Sequence, residues 1–138
     1  MRPAFVTTDT GKFRQSVRVG PHVLAADAPA ADGGTDAGPE PHEWLLAGLG
    51  ACTSMTLKLY ADRKGWPLTA VEVTVQGEQK DGEFLMRRQV TLVGEGLTDE
   101  QRARLIDIAN KCPVHRTLTG TIRIETSLDD DGPRTFQP

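Results

Sequence analysis

The residues best suited to chemistry are the two cysteines of the chain, Cys52 and Cys112. A cysteine thiolate is a nucleophile, and two thiols that meet can be oxidised to a disulfide. Two cysteines are too few for a disulfide scaffold, so the alternatives are buried structural thiols or a redox-active pair. Metal binding is the weakest alternative, because the spacing of the three histidines, His22, His42 and His115, matches no zinc motif.

The surroundings of the two cysteines differ. Cys52 is predicted in the middle of an apolar helix, where a thiol is inert unless a cation stabilises its thiolate. Arg14 or Arg18, on the first predicted strand, could supply that cation. Cys112 is predicted at the C-terminal end of a second helix, where the helix dipole disfavours a thiolate. We therefore expect Cys112 to be a poor primary nucleophile and a better second thiol, which traps an oxidised partner. Each cysteine by itself favours a structural interpretation, whereas the two together have the arrangement that a two-thiol peroxide cycle needs, so both interpretations stay open at this point.

The elements that must position these thiols are predicted from apolar periodicity and turn residues, which indicate an α+β chain with a mainly antiparallel sheet. The predicted strands cover residues 12–19, 22–26, 69–78, 84–93 and 117–126. The pair Asp81-Gly82 predicts a hairpin turn, and residues 27–41, rich in Ala, Asp, Gly and Pro, predict a loop. A capping box that begins at Thr98 predicts an amphipathic helix that ends at Cys112.

The segment from Glu43 to Lys64 predicts a long helix that is ended by Gly65 and is apolar nearly all round from Trp44 to Leu59. Gly48 and Gly50 lower its helix propensity, which predicts the close approach of another element, and ordinary helix packing and a substrate channel both stay open as the reason. A single sheet in so small a chain could hardly cover this helix. We therefore expect a second subunit to cover the rest of it in a homodimer.

The chain has 138 residues, of which 38% are apolar and 25% charged, with a formal net charge of −3. This composition is typical of one soluble globular domain, here residues 1–138 with a frayed tail over 128–138. The acidic balance argues against nonspecific nucleic-acid binding. Neither a membrane-spanning apolar segment nor the apolar core of a secretory signal is present in the sequence, so we expect a cytoplasmic protein with no membrane partner.

Two segments of the chain carry a family resemblance: PHEWLLAGLGACTSMTLKLYADRKGWPL around Cys52 and NKCPVHRTLTG around Cys112. They resemble the OsmC/Ohr family of thiol-dependent peroxide reductases, and in particular the branch that carries RKGWPL and CPVHRTL. The similarity covers residues 12–125. It implies an OsmC-like fold, in which a mainly antiparallel sheet packs on a long buried central helix. It also implies an intertwined homodimer with two active sites at the subunit interface.

The resemblance further implies a role for each cysteine. Cys52 matches the peroxidatic cysteine, which attacks an organic hydroperoxide, releases the alcohol and becomes a sulfenic acid. Cys112 matches the resolving cysteine, which condenses with that sulfenic acid into an intramolecular disulfide. The family implies reduction by a dithiol of the lipoyl type, an antioxidant function in stress response, and no metal, haem or flavin cofactor.

In the family an arginine on an N-terminal strand activates the thiolate, and a glutamate shortly before the cysteine holds that arginine. Arg14 is the match for the arginine, with Arg18 as the alternative. The usual glutamate position is occupied by His42, and Glu43 is the next residue. Either Glu43 or His42 therefore takes over this role, or Arg14 is not held and the activity is weak; we favour Glu43.

Two other functions stay open from the sequence. The same dimer could be non-catalytic and bind an apolar ligand or sense redox state. It could also be a purely structural module, in which case both thiols would resist alkylation and oxidation in the folded protein.

Overall fold

The computed structural model describes residues 1–129, and residues 130–138 of the predicted frayed tail lie outside the described part. The described part of the chain divides into two compact units, residues 1–44 with 124–129, and Leu45–Arg123. Each unit contains an antiparallel sheet, and the second contains most of the helical residues. The predicted α+β class with antiparallel pairing is therefore confirmed.

The N-terminal unit contains a three-stranded antiparallel meander in the order β1 (Ala4–Thr8), β2 (Gln15–Val19) and β3 (His22–Ala26). Gly20, with φ of +58°, allows the tight turn between β2 and β3. The strand predicted over residues 12–19 is thus confirmed from Gln15 onward, and the strand over 22–26 is confirmed throughout.

The predicted loop after β3 contains a short 3-10 helix, Ala30–Asp32, and is organised around a buried carboxylate. Asp27 accepts hydrogen bonds from the Thr35 hydroxyl at 2.6 Å and from the backbone N–H groups of Ala28, Thr35 and Ala37 at 2.8, 3.1 and 3.2 Å. The bond from Thr35 contributes most to lowering the pKa of Asp27 to about 2, against the opposing effect of burial. An ionised Asp27 therefore holds the loop in one conformation.

Helix α1 covers Pro41–Lys64 and confirms the predicted long helix. Glu43 lies in its first turn and basic residues in its last, as the helix dipole favours, and Gly65 ends it with φ of +68°. Within the chain only one stripe of α1 is buried, with the spacing of one residue every four: Leu49, Thr53, Leu57 and Ala61. The expectation of a helix buried all round is therefore not met within the single chain.

The C-terminal unit is built on a hairpin of β4 (Ala70–Lys80) and β5 (Glu83–Val93). Asp81 and Gly82 both have positive φ, 52° and 78°, and form the predicted turn. A Cβ atom added to Gly50 of α1 would lie 3.6 Å from Cγ2 of Val75 in β4, which is ordinary van der Waals contact. A Cβ atom added to Gly48 would meet open space. Within the single chain the predicted close approach is therefore not seen at Gly48.

Helix α2 covers Asp99–Ala109 and has the predicted capping box, in which Thr98 and Gln101 bond each other's backbone N–H groups. Its buried side chains close the core of this unit against α1. The core consists of Leu57, Ala61, Leu68, Leu105, Ile108 and Ala109. No helix within residues 1–129 is long and apolar enough to cross a membrane.

The strand predicted over residues 117–126 is wrong. Helix α3 covers Pro113–Thr119, and residues 121–129 form no helix or strand. Proline at the first helical position sacrifices no hydrogen bond and presets φ. The hydroxyls of Thr117 and Thr119 bond the carbonyls of Pro113 and His115, so these β-favouring residues are accommodated in a helix.

Candidate active site

The two cysteines, far apart in sequence, are neighbours in the C-terminal unit. Cys52 lies half-buried in the middle of α1, and Cys112 is fully buried between α2 and α3. Both are free thiols, and the side chain of Cys52 is close enough to Cys112 to favour its thiolate by hydrogen bonding. The fold therefore brings together the two thiols that the sequence analysis singled out.

Cys112 precedes a helix instead of ending one. Helix α2 ends at Ala109, and Cys112 is the N-cap of α3, where its Sγ accepts a hydrogen bond from the backbone N–H of His115 at 3.4 Å. The expectation that a helix C-terminus disfavours the Cys112 thiolate is therefore wrong. The physical reason is local: Pro113 starts a new helix directly after the cysteine.

Thr53 connects the second thiol to a charged group. Its buried hydroxyl donates to the carbonyl of Leu49 at 2.7 Å and lies 3.8 Å from the Sγ of Cys112. The same oxygen accepts a hydrogen bond from Nη1 of Arg88 at 2.9 Å. The residue next to Cys52 in the sequence thus contacts Cys112 in space.

Arg88 projects from β5 with a guanidinium that reaches three elements. Its Nη2 donates to the side-chain oxygen of Asn110 at 2.9 Å and lies 3.3 Å from Nδ1 of His115. Together with Thr53, these partners are a hydroxyl, an amide and an imidazole, and none of them is an acid. The positive charge of Arg88 is thus available to act on the nearby Cys112.

The pKa of the Cys112 thiol is lowered from its ordinary value. Burial opposes this shift by disfavouring the charged form. Burial is outweighed by the hydrogen bond from the backbone N–H of His115, by those with Thr53 and Cys52, and by the charge of Arg88. The buried cysteine therefore lies in surroundings that stabilise its thiolate.

A cavity of about 510 Å³ opens beside this cluster within the same unit. Arg88, Asn110 and His115 form its polar wall. The remaining lining is mostly apolar and consists of Leu45, Leu49, Phe84, Met86, Leu118 and Thr119. Such a cavity suits a small molecule with an apolar body and one polar group.

The other predicted site residues lie in the N-terminal unit. Nε of Arg14 pairs with the Asp9 carboxylate at 3.3 Å, and Arg18 lies within β2. Glu43 accepts a hydrogen bond from the backbone N–H of Glu40 at 2.9 Å, at the start of α1. The roles predicted for Arg14, Arg18, Glu43 and His42 stay predictions.

Arg88, Thr53 and Asn110 were missed by the sequence analysis. The available signal was the alternation in β5, which places Arg88 on the same inward face as Met86 and Val90. A charge on the inward face of a strand costs free energy unless it is hydrogen-bonded, so it indicates a polar site. Among residues 1–129, no group of three or more His, Cys, Asp or Glu side chains is arranged to hold a metal ion.

A family model described as OsmC-like protein matches residues 33–127 of the chain. This range includes both cysteines, Thr53 and Arg88. No curated protein sequence gives a significant match.

Solved structures with a similar fold come from several bacteria. An OsmC-like protein from Mycoplasma pneumoniae is 22% identical, with a TM-score of 0.72 over 87% of this chain and 88% of the other. The organic hydroperoxide resistance protein OsmC from Legionella pneumophila is 20% identical, with a TM-score of 0.66 over 87% and 90%. The organic hydroperoxide resistance protein OhrB of Bacillus subtilis is 24% identical, with a TM-score of 0.58 over 86% and 91%. At these identities the likeness shows a shared fold.

Proposed function

Because the chain belongs to the OsmC-like protein family, we propose that it is a thiol-dependent peroxide reductase that converts organic hydroperoxides to alcohols. The observation that carries this proposal is the meeting of Cys52 and Cys112, two free thiols on different elements. The mostly apolar cavity of the same unit is lined by Arg88 and His115, which lie close to Cys112. The names of the similar structures from Legionella pneumophila and Bacillus subtilis, both organic hydroperoxide resistance proteins, support the same substrate class.

In the proposed cycle the Cys52 thiolate attacks the O–O bond of the hydroperoxide. An S–O bond forms, the O–O bond breaks, and the leaving alkoxide takes up a proton to become the alcohol. The sulfenic acid on Cys52 is then attacked by the Cys112 thiolate, which displaces hydroxide and forms the disulfide. A dithiol of the lipoyl class supplies the two electrons that restore both thiols.

The exposure of the two sulfurs supports this order of events. Within the chain, residue Cys52 is half-buried and residue Cys112 is fully buried, so a hydroperoxide reaches Cys52 more easily. The cation that activates Cys52 is proposed, from the family, to be Arg14 held by Glu43, with Arg18 and His42 as the alternatives. The proposed working unit is a homodimer in the cytoplasm, acting in stress response.

Intact-mass measurement of the reduced protein during titration with cumene hydroperoxide tests the cycle. The expected result is the loss of two hydrogens at about one equivalent of peroxide, because one peroxide oxidises one thiol pair. Cys52→Ser should lose this reaction. Cys112→Ser should instead accumulate a sulfenic acid on Cys52, which dimedone labels. An unchanged mass for the wild-type protein contradicts the proposal.

The apolar cavity favours one second function, a non-catalytic dimer that binds an apolar ligand. In that case the wild-type protein should bind the ligand and show no peroxide turnover. Leu49→Trp, which would fill the cavity, should abolish the binding. A protein that turns over peroxide with a dithiol, and loses this activity in Cys52→Ser, contradicts the binding function as the main one.

A further inference from the structure

We propose that Arg88 and the backbone N–H of His115 hold Cys112 as the leaving thiolate of the pair, so that a reductant opens the Cys52–Cys112 disulfide by attacking the sulfur of Cys52. Arg88 is then a positioning residue, which acts through its charge and by fixing the segments on both sides of Cys112. This inference rests on the proposed redox cycle and adds to it a direction for the reductive half.

The two sulfurs differ first in accessibility. A thiolate that attacks a disulfide must reach one sulfur while the other leaves. Cys112 is fully buried beneath α1 and α3, whereas Cys52 is half-buried. Cys112 is enclosed by its own chain whether or not a second subunit covers α1, so an incoming thiolate meets the sulfur of Cys52 first.

The two sulfurs differ also in the groups that stabilise negative charge. The Sγ of Cys112 accepts a hydrogen bond from the backbone N–H of His115 at 3.4 Å and lies 3.8 Å from the Thr53 hydroxyl. Arg88 donates to that hydroxyl at 2.9 Å. The N–H of His115 and the charge of Arg88 make Cys112 the more stable thiolate. Since the thiol that is more stable as a thiolate leaves faster, they favour departure of Cys112.

The guanidinium is itself fixed in place. Nη2 of Arg88 bonds the side chain of Asn110 at 2.9 Å, on the segment that leads from α2 to Cys112, and lies 3.3 Å from the ring of His115 in α3. The elements on both sides of Cys112 are thus tied to one cation. Arg88 therefore keeps its distance to the leaving sulfur when the disulfide opens.

The reductive step is a thiol–disulfide exchange that conserves atoms and electrons. One thiolate of the reductant attacks Sγ of Cys52, a new S–S bond forms to Cys52, the old S–S bond breaks, and its electron pair leaves on Cys112. The second thiol of the reductant, after losing its proton, attacks the reductant's own sulfur in this mixed disulfide. The reductant leaves as a cyclic disulfide, and Cys52 takes up a proton or stays as a thiolate. Two electrons pass from the dithiol to the protein.

The test uses a disulfide made with diamide, which requires no peroxidase activity. The oxidised protein is mixed with the monothiol 2-mercaptoethanol and quenched early in acid. The freed thiol is then blocked with N-ethylmaleimide at controlled pH, and peptides are mapped by mass spectrometry. The expected result is mercaptoethanol on Cys52 and maleimide on Cys112, in at least about tenfold excess over the reverse. Mercaptoethanol on Cys112, an even split, or failure of diamide to form the disulfide overturns the inference.

Variants of Arg88 test the positioning role. Arg88→Met should slow the opening of the disulfide severalfold, and Arg88→Lys should restore part of the rate, because a cation returns. The matched control is Arg87→Met, since Arg87 is exposed on the other face of β5 and pairs with Glu78; its rate should equal that of the wild type. Equal rates for Arg88→Met and Arg87→Met contradict the role of Arg88.

The pH at which the Cys112 thiol ionises can be followed by the ultraviolet absorbance of the thiolate. A merely structural role of Arg88 would leave this pH unchanged. In Cys52→Ser, where Cys112 is the remaining thiol, adding Arg88→Met should shift the titration to higher pH. No shift contradicts the inference. Should Arg88→Met fail to fold, the adduct map on the wild-type protein decides alone. The protein could also be inert to peroxide while its diamide-made disulfide still opens at Cys52. That result would refute the proposed peroxide reductase function and leave the direction of disulfide opening supported.

Discussion

At the scale of the residue, the charged groups of this chain depend on a few close contacts. Arg88 lies at an inward position of β5, where its guanidinium is satisfied by Thr53 and Asn110. Asp27 is a buried carboxylate that receives four hydrogen bonds from its own loop. In both cases a charge is tolerated because its partners replace the lost water.

The lowered pKa of Asp27 makes the stability of the protein depend on pH. The folded protein holds this carboxyl at a pKa of about 2, below the ordinary 3.8, so the unfolded chain binds the proton more readily. The stabilisation is present above about pH 4 and is lost as the pH falls towards 2. We expect Asp27→Asn to lower the unfolding temperature at neutral pH, and the difference from the wild type to shrink below about pH 4.

The measurement for Asp27 is thermal unfolding from neutral pH down to about pH 2. Asp36→Asn is the matched control, because Asp36 is exposed in the same loop and asparagine tolerates its positive φ. A difference between the wild type and Asp27→Asn that stays constant over this range contradicts the explanation.

At the scale of the element, short-range chemistry decides where helices start, and therefore whether a cysteine lies at the end or at the start of a helix. The capping box at Thr98 and the proline at position 113 are both local signals, and both begin a helix in the structure. The helix begun by Pro113 changes the chemistry of Cys112, because it turns the end of one helix into the start of another. A difference of one element boundary thus inverts the expected electrostatics of a thiol.

We expect Thr98→Ala to destabilise the protein by about 1 kcal/mol, because it removes an N-cap acceptor. The Thr98 hydroxyl accepts a hydrogen bond from the backbone N–H of Gln101 at 3.1 Å, and α2 carries buried Leu105 of the core. Thr98→Ser keeps the acceptor and is expected to stay close to the wild type. Urea unfolding of the three proteins measures the effect, and equal midpoints would show that the cap contributes nothing.

At the scale of the whole molecule, the single chain leaves large apolar side chains exposed. Met55 and Leu59 of α1 are 72% and 51% exposed, and Ile122 and Ile124 follow α3 at 56% and 83%. Apolar surface of this kind marks an interaction site. It supports the predicted homodimer, in which the second subunit covers the open side of α1.

The dimer is tested by charging the open side of α1. Light scattering with size exclusion should give about twice 15.0 kDa for the wild type. The double variant Met55→Glu/Leu59→Glu should give about one chain mass, because burying two carboxylates without partners is costly. Lys80→Glu, at the exposed hairpin, is the control and should stay dimeric. A wild-type mass of one chain, or a dimeric double variant, contradicts the dimer.

Much of the fold was predictable from short stretches of sequence. Four features depend on residues within a few positions of each other. They are the Asp81-Gly82 turn, the alternation of β4, the capping box of α2 and the end of α1 at Gly65. The strand predicted over 117–126 failed for the opposite reason. Alternating residues form a strand only where a partner strand accepts their hydrogen bonds, and a sequence pattern does not specify the partner.

The sequence by itself determined α1, α2, the β4–β5 hairpin and the two thiols that could react, because residue types and local spacing encode them. Only the tertiary structure decided which side chains surround those thiols. Arg88 on β5, Thr53 on α1 and His115 on α3 converge on Cys112 from three elements. Their distances depend on packing between segments far apart in the chain, and the charge on a thiol depends on such distances.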